Sequence, residues 1–300
     1  MWYGMAMPKK SGKTKIRKAV IPVAGFGTRF LPATIAQPKE MLPIVDKPII
    51  QYIVEEMVAS GIEEIIFVTG RNKRAIEDHF DYSGELEQLL RDNHRLDLLK
   101  QVDQISRLAK FVYVRQNKML GIGDALMCAR EVVGDEPFAF ANGDDVIDSH
   151  QPAIAQLMKA YRRYHSSIIG VLPVNPELVN RYGVVKPFTT TTGQTFRIKG
   201  IAEKPKIEEA PSKFGVFGRY IFTPAIFPAI EKAKPRTGKE IYVADALDVL
   251  VRRERIYAHH MTGRYFDCGS KTEYVKANIY YALKHPELRQ QIRSYLKKPR

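Results

Sequence analysis

Residues 19–23 form an apolar run that empties into Ala24-Gly25-Phe26-Gly27-Thr28-Arg29, and Pro38-Lys39-Glu40-Met41-Leu42-Pro43 follows soon after. A strand ending in a glycine loop exposes backbone N–H groups suited to holding a polyphosphate. Arg29 offers a planar fork for phosphate oxygens that cannot lose its charge, and Lys39 a mobile point charge. The loop is not a dinucleotide fingerprint, because Gly25-Phe26-Gly27 lacks a third glycine and no acidic residue stands at the required distance. Two glycines after a strand also describe an ordinary tight turn, and both cations could be surface residues. Asp144 follows the apolar residues 138–141, so it should stand at a strand end, either facing a ligand or capping the next helix. Asp145 stands equally near.

The longer string resembles the signature of the sugar-nucleotide pyrophosphorylases, with Lys39-Glu40-Met41-Leu42-Pro43 worded as in the bacterial UTP–glucose-1-phosphate uridylyltransferases. The resemblance recurs at Val114-Arg115-Gln116, Gly121-Ile122-Gly123, Gly143-Asp144-Asp145, Tyr182-Gly183-Val184-Val185, Ala202-Glu203-Lys204-Pro205, Gly218-Arg219-Tyr220 and Phe266-Asp267-Cys268-Gly269, covering residues 16–283 in order. It implies a nucleotidyltransferase that joins UTP and α-D-glucose 1-phosphate into UDP-glucose and pyrophosphate. The attacking group is an already ionised phosphate oxygen, so no general base is needed. The work lies in holding two anions together and neutralising the leaving pyrophosphate.

The resemblance also implies residue roles. Arg29, Lys39 and Lys204 handle phosphate. Ala24, Gly25, Gly27, Thr28, Gln116 and Gly121 surround the nucleotide, the Gln116 amide matching the imide edge of uracil, which thymine shares. Glu40, Gly183 and Glu203 lie on the sugar side, where a carboxylate facing a polyol is a specificity device. Asp144 and Asp267 bind Mg²⁺, whose hard charge prefers oxygen ligands. Two positions depart from the pattern: Ile35 where lysine is frequent and Asp124 where histidine is usual. These could alter nucleotide preference. Same chemistry with dTTP or another hexose 1-phosphate is the nearest rival reading, and a catalytically silent regulatory nucleotide-binding homologue is a rival of another class.

The elements that must position these groups alternate along the chain. Apolar runs at 19–23, 64–69, 111–115, 138–142 and 167–174 read as strands, and stretches at 48–60, 73–79, 84–100, 123–130 and 152–164 as helices. This predicts an α/β fold: a Rossmann-like mixed, mostly parallel sheet with helices on both faces, carrying its ligands beyond the carboxyl ends of the strands. A small β-rich sugar-binding portion follows, from strands at 182–186, 195–203 and 214–222 around a turn at 188–194, with a short strand at 257–261. His259-His260 on that strand reads as structural. Helices are expected from about 224 and 243, over 271–284, and over 286–297. The implied organisation is a basic N-terminal tail (1–15), a catalytic domain (16–285; nucleotide part about 16–150, sugar part about 165–270) and a C-terminal helix (286–300) that could serve an interface.

Composition bounds the rest. The 300 residues are 45% hydrophobic, enough for a sizeable core. The formal net charge of +14 brings nucleic acid to mind, but much of the excess lies at the two ends, and no nucleic-acid module appears between them. Cys128 and Cys268 are the only cysteines, wrongly spaced for a zinc site and consistent with a reducing compartment. No signal peptide or membrane-spanning run is evident. A cytoplasmic enzyme is expected, forming a homodimer or homotetramer by resemblance, without membrane or nucleic-acid partners.

Overall fold

Nine strands build the central sheet of the computed structural model, which describes residues 15–189, 193–234 and 240–297. Most of the basic N-terminal tail and part of the turn at 188–194 lie outside the described residues. In chain order the strands are β1 (Lys18–Pro22), β2 (Glu64–Thr69), β3 (Lys110–Arg115), β4 (Phe138–Ala141), β5 (Ile168–Pro173), β6 (Gly183–Pro187), β7 (Thr195–Glu203), β8 (Phe214–Phe222) and β9 (Ile256–His260). They lie side by side as β3-β2-β1-β4-β8-β5-β9-β7-β6. β1 to β4 are mutually parallel, β8 runs antiparallel to both β4 and β5, and β7 pairs antiparallel with β9 and β6. The protein is therefore α/β, with a parallel nucleotide-type half and a mixed second half.

The parallel strands read as unbroken apolar runs because both sheet faces are covered. Ile21, Phe67 and Ala139 pack on one face with Ile53 of the helix Ile49–Ala59 and Leu157 of the helix Ala153–Tyr164. Val20, Ile66 and Phe140 pack on the other, with Leu126 of the helix Ile122–Cys128 and Leu247 of the helix Val243–Leu250. Each fully buried Val, Ile, Leu or Phe among these contributes roughly 1.5–3 kcal/mol relative to exposure.

Two features depart from the sequence reading. The helix expected over 84–100 is two helices, Gly84–Asp92 and Leu96–Ser106. Asn93 closes the first by donating from both its backbone N–H and its side-chain amide to Leu89 O, and His94 then turns left-handed at φ 56°. The second departure is a small antiparallel ladder, Asp145–Asp148 against Arg264–Asp267, with Asp145 opposite Asp267. It carries Asp267 to the end of β4.

Arg219 on β8 is wholly buried and anchors that region. Its Nε donates to both Glu56 oxygens at 3.1 Å, Nη2 to Glu56 Oε2 and to Asp145 O at 2.7 Å each, and Nη1 to Gly218 O at 3.1 Å. An Arg219→Met variant is expected to lose about 3–5 kcal/mol of unfolding free energy in urea titrations, because Glu56 is left charged and buried. A loss below about 1 kcal/mol would show that water replaces the guanidinium.

His259 on β9 is 7% exposed, with Thr195 Oγ1 2.7 Å from its Nδ1. Burial, followed by His260 and Lys159, pushes its pKa down from 6.5 to about 4. The unfolded chain therefore takes up the proton first, and the contribution of His259 to stability is present above pH 6.5 and lost as pH falls towards 4. A His259→Asn variant should show a shallower fall of melting temperature across that window; parallel curves for both proteins would exclude this group as the cause.

Candidate active site

The loop after β1 folds back on itself through Gly27, which adopts φ 67° and precedes the short turn Thr28–Phe30. Gly27 O accepts a hydrogen bond from Thr34 Oγ1 at 2.9 Å, and a Cβ at Gly27 would stand 3.1 Å from Lys39 Cβ. The glycine thus serves to seat the loop on the Lys39 segment. Because β1 to β4 are parallel, this loop, Gln116 after β3 and Asn142-Gly143-Asp144 after β4 open on the same rim.

Two adjoining cavities occupy that rim. One, of about 450 Å³, is lined by Ala24, Gly25, Lys39, Glu40, Gln116 and Gly121 among others. The second, of about 400 Å³, is lined by Arg181, Gly183, Glu203, Lys204, Tyr265 and Asp267 among others. Arg29, Ile122, Asn142 and Asp144 belong to both, so one group expected to handle phosphate and one expected to hold metal stand in the shared wall, with Lys39 on the first side and Lys204 and Asp267 on the second. Thr28 is exposed and lines neither cavity, and so does Ile35.

Charge at this wall is tightly paired. Lys39 Nζ lies 2.5 Å from Asp144 Oδ2 and 4.0 Å from Glu40 Oε1. Burial works against the Lys39 ammonium, yet the Asp144 and Glu40 carboxylates outweigh it and raise its pKa. Asp144 is likewise buried, but Lys39 and then Arg29 hold its carboxyl below the ordinary value. Asp145 is different: burial and the Asp144 charge push it up to about 6, against hydrogen bonds from Asn142 Nδ2 at 2.8 Å and Tyr265 OH at 2.6 Å. Burial and Asp144 also raise Asp267. Asp145 is therefore engaged inside the protein, whereas Asp144 and Asp267 converge on Gly269. A Cβ there would stand 2.6 Å from Asp144 Oδ2 and 3.0 Å from Asp267 Oδ1. Two mutually repelling carboxylates around a side-chain-free position fit a hard divalent cation that takes its other ligands from phosphate and water.

Glu40, expected on the sugar side, lies elsewhere. It is 1% exposed, bonds Lys73 Nζ at 2.9 Å, and lines the cavity of Gln116 rather than that of Glu203. It adds a second, more distant negative charge near Lys39, after Asp144. Gly183 and Glu203 do lie together: a Cβ at Gly183 would stand 3.2 Å from Glu203 Oε2. Ile201 Cγ2 would stand equally close, so the glycine is pressed by both side chains. Lys204, half exposed beside them, takes a left-handed φ of 45° and donates its backbone N–H to Tyr182 O at 3.1 Å. Such a conformation costs a non-glycine residue of order 1–3 kcal/mol and is often found at ligand sites. Gln116 is buried, its Nε2 donating to Asp124 Oδ2 at 2.7 Å and to Gly121 O at 3.2 Å.

Sequence reasoning missed Lys73, Tyr265, Asn142 and Arg181. Tyr265 carried a signal: it lies two residues before Asp267 on a strand, so both project to one face. Lys73 carried none beyond its place in the loop after β2.

The nucleotidyl transferase family model matches residues 18–283. A UTP–glucose-1-phosphate uridylyltransferase of Bacillus subtilis is 48% identical over 278 residues, 93% of this chain and 95% of that protein. Among solved structures, UTP-bound UGPase from Acinetobacter baumannii superposes with a TM-score of 0.89 at 38% identity, covering 95% of this chain and all of that one. A UDP-glucose pyrophosphorylase complexed with UDP-glucose gives a TM-score of 0.82 at 41% identity, over 90% of this chain and all of that one.

The convergence on Gly269 makes a direct prediction. Gly269→Ala should weaken Mn²⁺ binding, read by paramagnetic resonance, by about tenfold, the scale of outer-shell changes at metal sites, with little change in melting temperature. Unaltered affinity would show that Asp144 and Asp267 do not hold one ion between them.

Proposed function

The chain belongs to the nucleotidyl transferase family, and from that premise we infer that it transfers a uridylyl group from UTP to α-D-glucose 1-phosphate, giving UDP-glucose and pyrophosphate. The observation that carries this reading is the shared wall. Asp144 and Arg29 face both a cavity that suits a nucleoside triphosphate and one that suits a sugar phosphate.

In this reading UTP lies with its base near Ala24, Gly25, Gly121 and Gln116, its triphosphate turned towards Arg29 and Lys39. Glucose 1-phosphate lies against Gly183 and Glu203, with Lys204 at its phosphate. A sugar-phosphate oxygen attacks the α-phosphorus, and the bond from that phosphorus to the α,β-bridging oxygen breaks. Its electron pair leaves on pyrophosphate, and no proton need move. Arg29 and Lys39 bind the leaving phosphates, and their charge counts most where water is excluded. A divalent cation, which we take to be Mg²⁺, would be held by Asp144 and Asp267 and would neutralise phosphate charge and align the reacting oxygens. The Lys39 ammonium stands against Asp144 and keeps the carboxylate ionised.

UDP-glucose is a glucosyl donor, so the product would feed glycan and polysaccharide synthesis. No helix among the described residues is long and apolar enough to cross a membrane, and both cysteines are free, which supports a cytoplasmic reaction. The terminal helix Arg289–Lys297 exposes Tyr295 and Leu296, a face that supports self-association as a homodimer or homotetramer.

Pyrophosphate release from UTP, glucose 1-phosphate and Mg²⁺ tests this reading, with dTTP and galactose 1-phosphate in parallel. Wild-type protein should favour the first pair, Asp144→Ala should lower kcat by about 10²–10³-fold, and Lys204→Ala should mainly raise KM for glucose 1-phosphate. Folded protein that binds UTP but releases nothing with any pair would mark a regulatory homologue instead.

A further inference from the structure

We propose that Asp124 is a positioning residue for base selection, fixing the Gln116 side-chain amide so that it meets the nucleobase through its carbonyl oxygen. The proposal rests on the reading of the Gln116 cavity as the site of the uracil ring.

The Gln116 amide has one donating and one accepting end, and which end faces a ligand is ordinarily free to change. Here the two atoms nearest its nitrogen are oxygens. Nε2 lies 2.7 Å from Asp124 Oδ2 and 3.2 Å from Gly121 O. A carboxylate and a backbone carbonyl can only accept, so both amide hydrogens are committed to them. Turning the amide over would set Oε1 against two oxygens and forfeit a charge-assisted bond.

Both acceptors stand on a firm base. Gly123 N donates to Ile241 O at 2.9 Å, and Ile241 N donates to Leu120 O at 3.2 Å. Gly121 adopts φ 92°, and a Cβ there would lie 2.9 Å from Ile241 O, so the turn is pressed against that segment. Asp124 sits in the first turn of the helix Ile122–Cys128. Gln116 itself is held at the end of β3 by its backbone N–H, which donates to Thr69 O at 2.8 Å. Gln116 lines the cavity and Asp124 does not, so Asp124 acts through the amide rather than on the ligand.

With Nε2 committed, Oε1 is the polar atom left to read a base, and it needs a donor. Uracil presents N3–H. Cytosine presents an unprotonated N3 at the same ring position, which would oppose lone pair to lone pair. Thymine keeps the N3–H and is not distinguished by this device.

The test measures kcat/KM for UTP and CTP, with glucose 1-phosphate, in wild type, Asp124→Ala and Asp124→Asn. In Asp124→Ala the preference for UTP over CTP should fall by about tenfold, the scale of one hydrogen bond to a charged group, and the loss for UTP should appear in KM rather than kcat. Asp124→Asn retains an acceptor but can turn its own amide, and should fall between. An unchanged preference in Asp124→Ala, with both triphosphates weakened alike, overturns the proposal and leaves Asp124 as support for the loop. Calorimetry with N3-methyl-UTP separates the underlying reading. Wild-type protein should bind it at least about tenfold more weakly than UTP, and equal affinity would show that Gln116 does not read N3 at all.

Discussion

The rim depends on the buried pair between Arg219 and Glu56. β4 delivers Asn142 to Asp145 to the ligand side, and β8 runs back beside it with Arg219 opposite Ala141. The guanidinium grips Asp145 O and Gly218 O while the helix Ile49–Ala59 holds it through Glu56, whose Oε1 also accepts the backbone N–H of Ile154. Two helices on the covered sheet face are thus tied to the turn that carries Asp144. A buried pair of this kind need not add stability over an apolar substitute. What it supplies is position, because a planar donor fork with filled acceptors leaves the turn one arrangement.

That arrangement gathers like charge. Asp144, Asp145 and Asp267 crowd together, and each needs a different remedy. Asp145 is given a tyrosine hydroxyl and an asparagine amide, which suits a group that is hard to ionise. Asp144 is given Lys39, which keeps it ionised, and Lys39 in turn rests near Glu40, which rests on Lys73. Asp267 accepts the Gly269 N–H at 3.0 Å and is otherwise pressed by Asp144. The alternating chain from Asp144 to Lys73 lets a cationic side chain stand buried at the nucleotide cavity without a net charge sealed in the protein. Polyphosphate chemistry needs cations of that kind, and holding them ready avoids reorganisation when the substrate arrives.

Much of this was legible in the chain because it is local. Residues 64–69, 195–203 and 214–222 are strands with the expected bounds, and the glycine loop, Gln116 and Asp144 each follow a strand and share the rim. The Asp145–Asp148 ladder was not legible: its two strands are four residues each and more than a hundred residues apart, and only tertiary pairing makes them strands. The burial of Glu40 was not legible for a related reason. Its partner Lys73 comes from another loop and no pattern announces it. The helix break at Asn93 is subtler, since three residues of ordinary helical capacity stop a helix once one of them caps it.

The division of labour between loops follows from the same geometry. Arg29 and Asp144 come from the loops after the first and fourth strands of the parallel half and meet at the wall common to both cavities, with Lys39 paired to Asp144 on the Gln116 side. The groups that the proposed reading assigns to telling one substrate from another stand further out: Gln116 with Gly121 on one side, Gly183 with Glu203 on the other. In both outer places a glycine meets the polar side chain: Gly121 O accepts from Gln116 Nε2 at 3.2 Å, and a Cβ at Gly183 would stand 3.2 Å from Glu203 Oε2. Exposed Ile35 lies outside both linings, and a departure there leaves the wall intact. Asp124 also leaves it intact, because it lines neither cavity and bonds the Gln116 amide. On the proposed reading, selectivity can shift along the outer loops while the charge arrangement at Arg29, Lys39 and Asp144, and the buried arginine beneath it, stays the same.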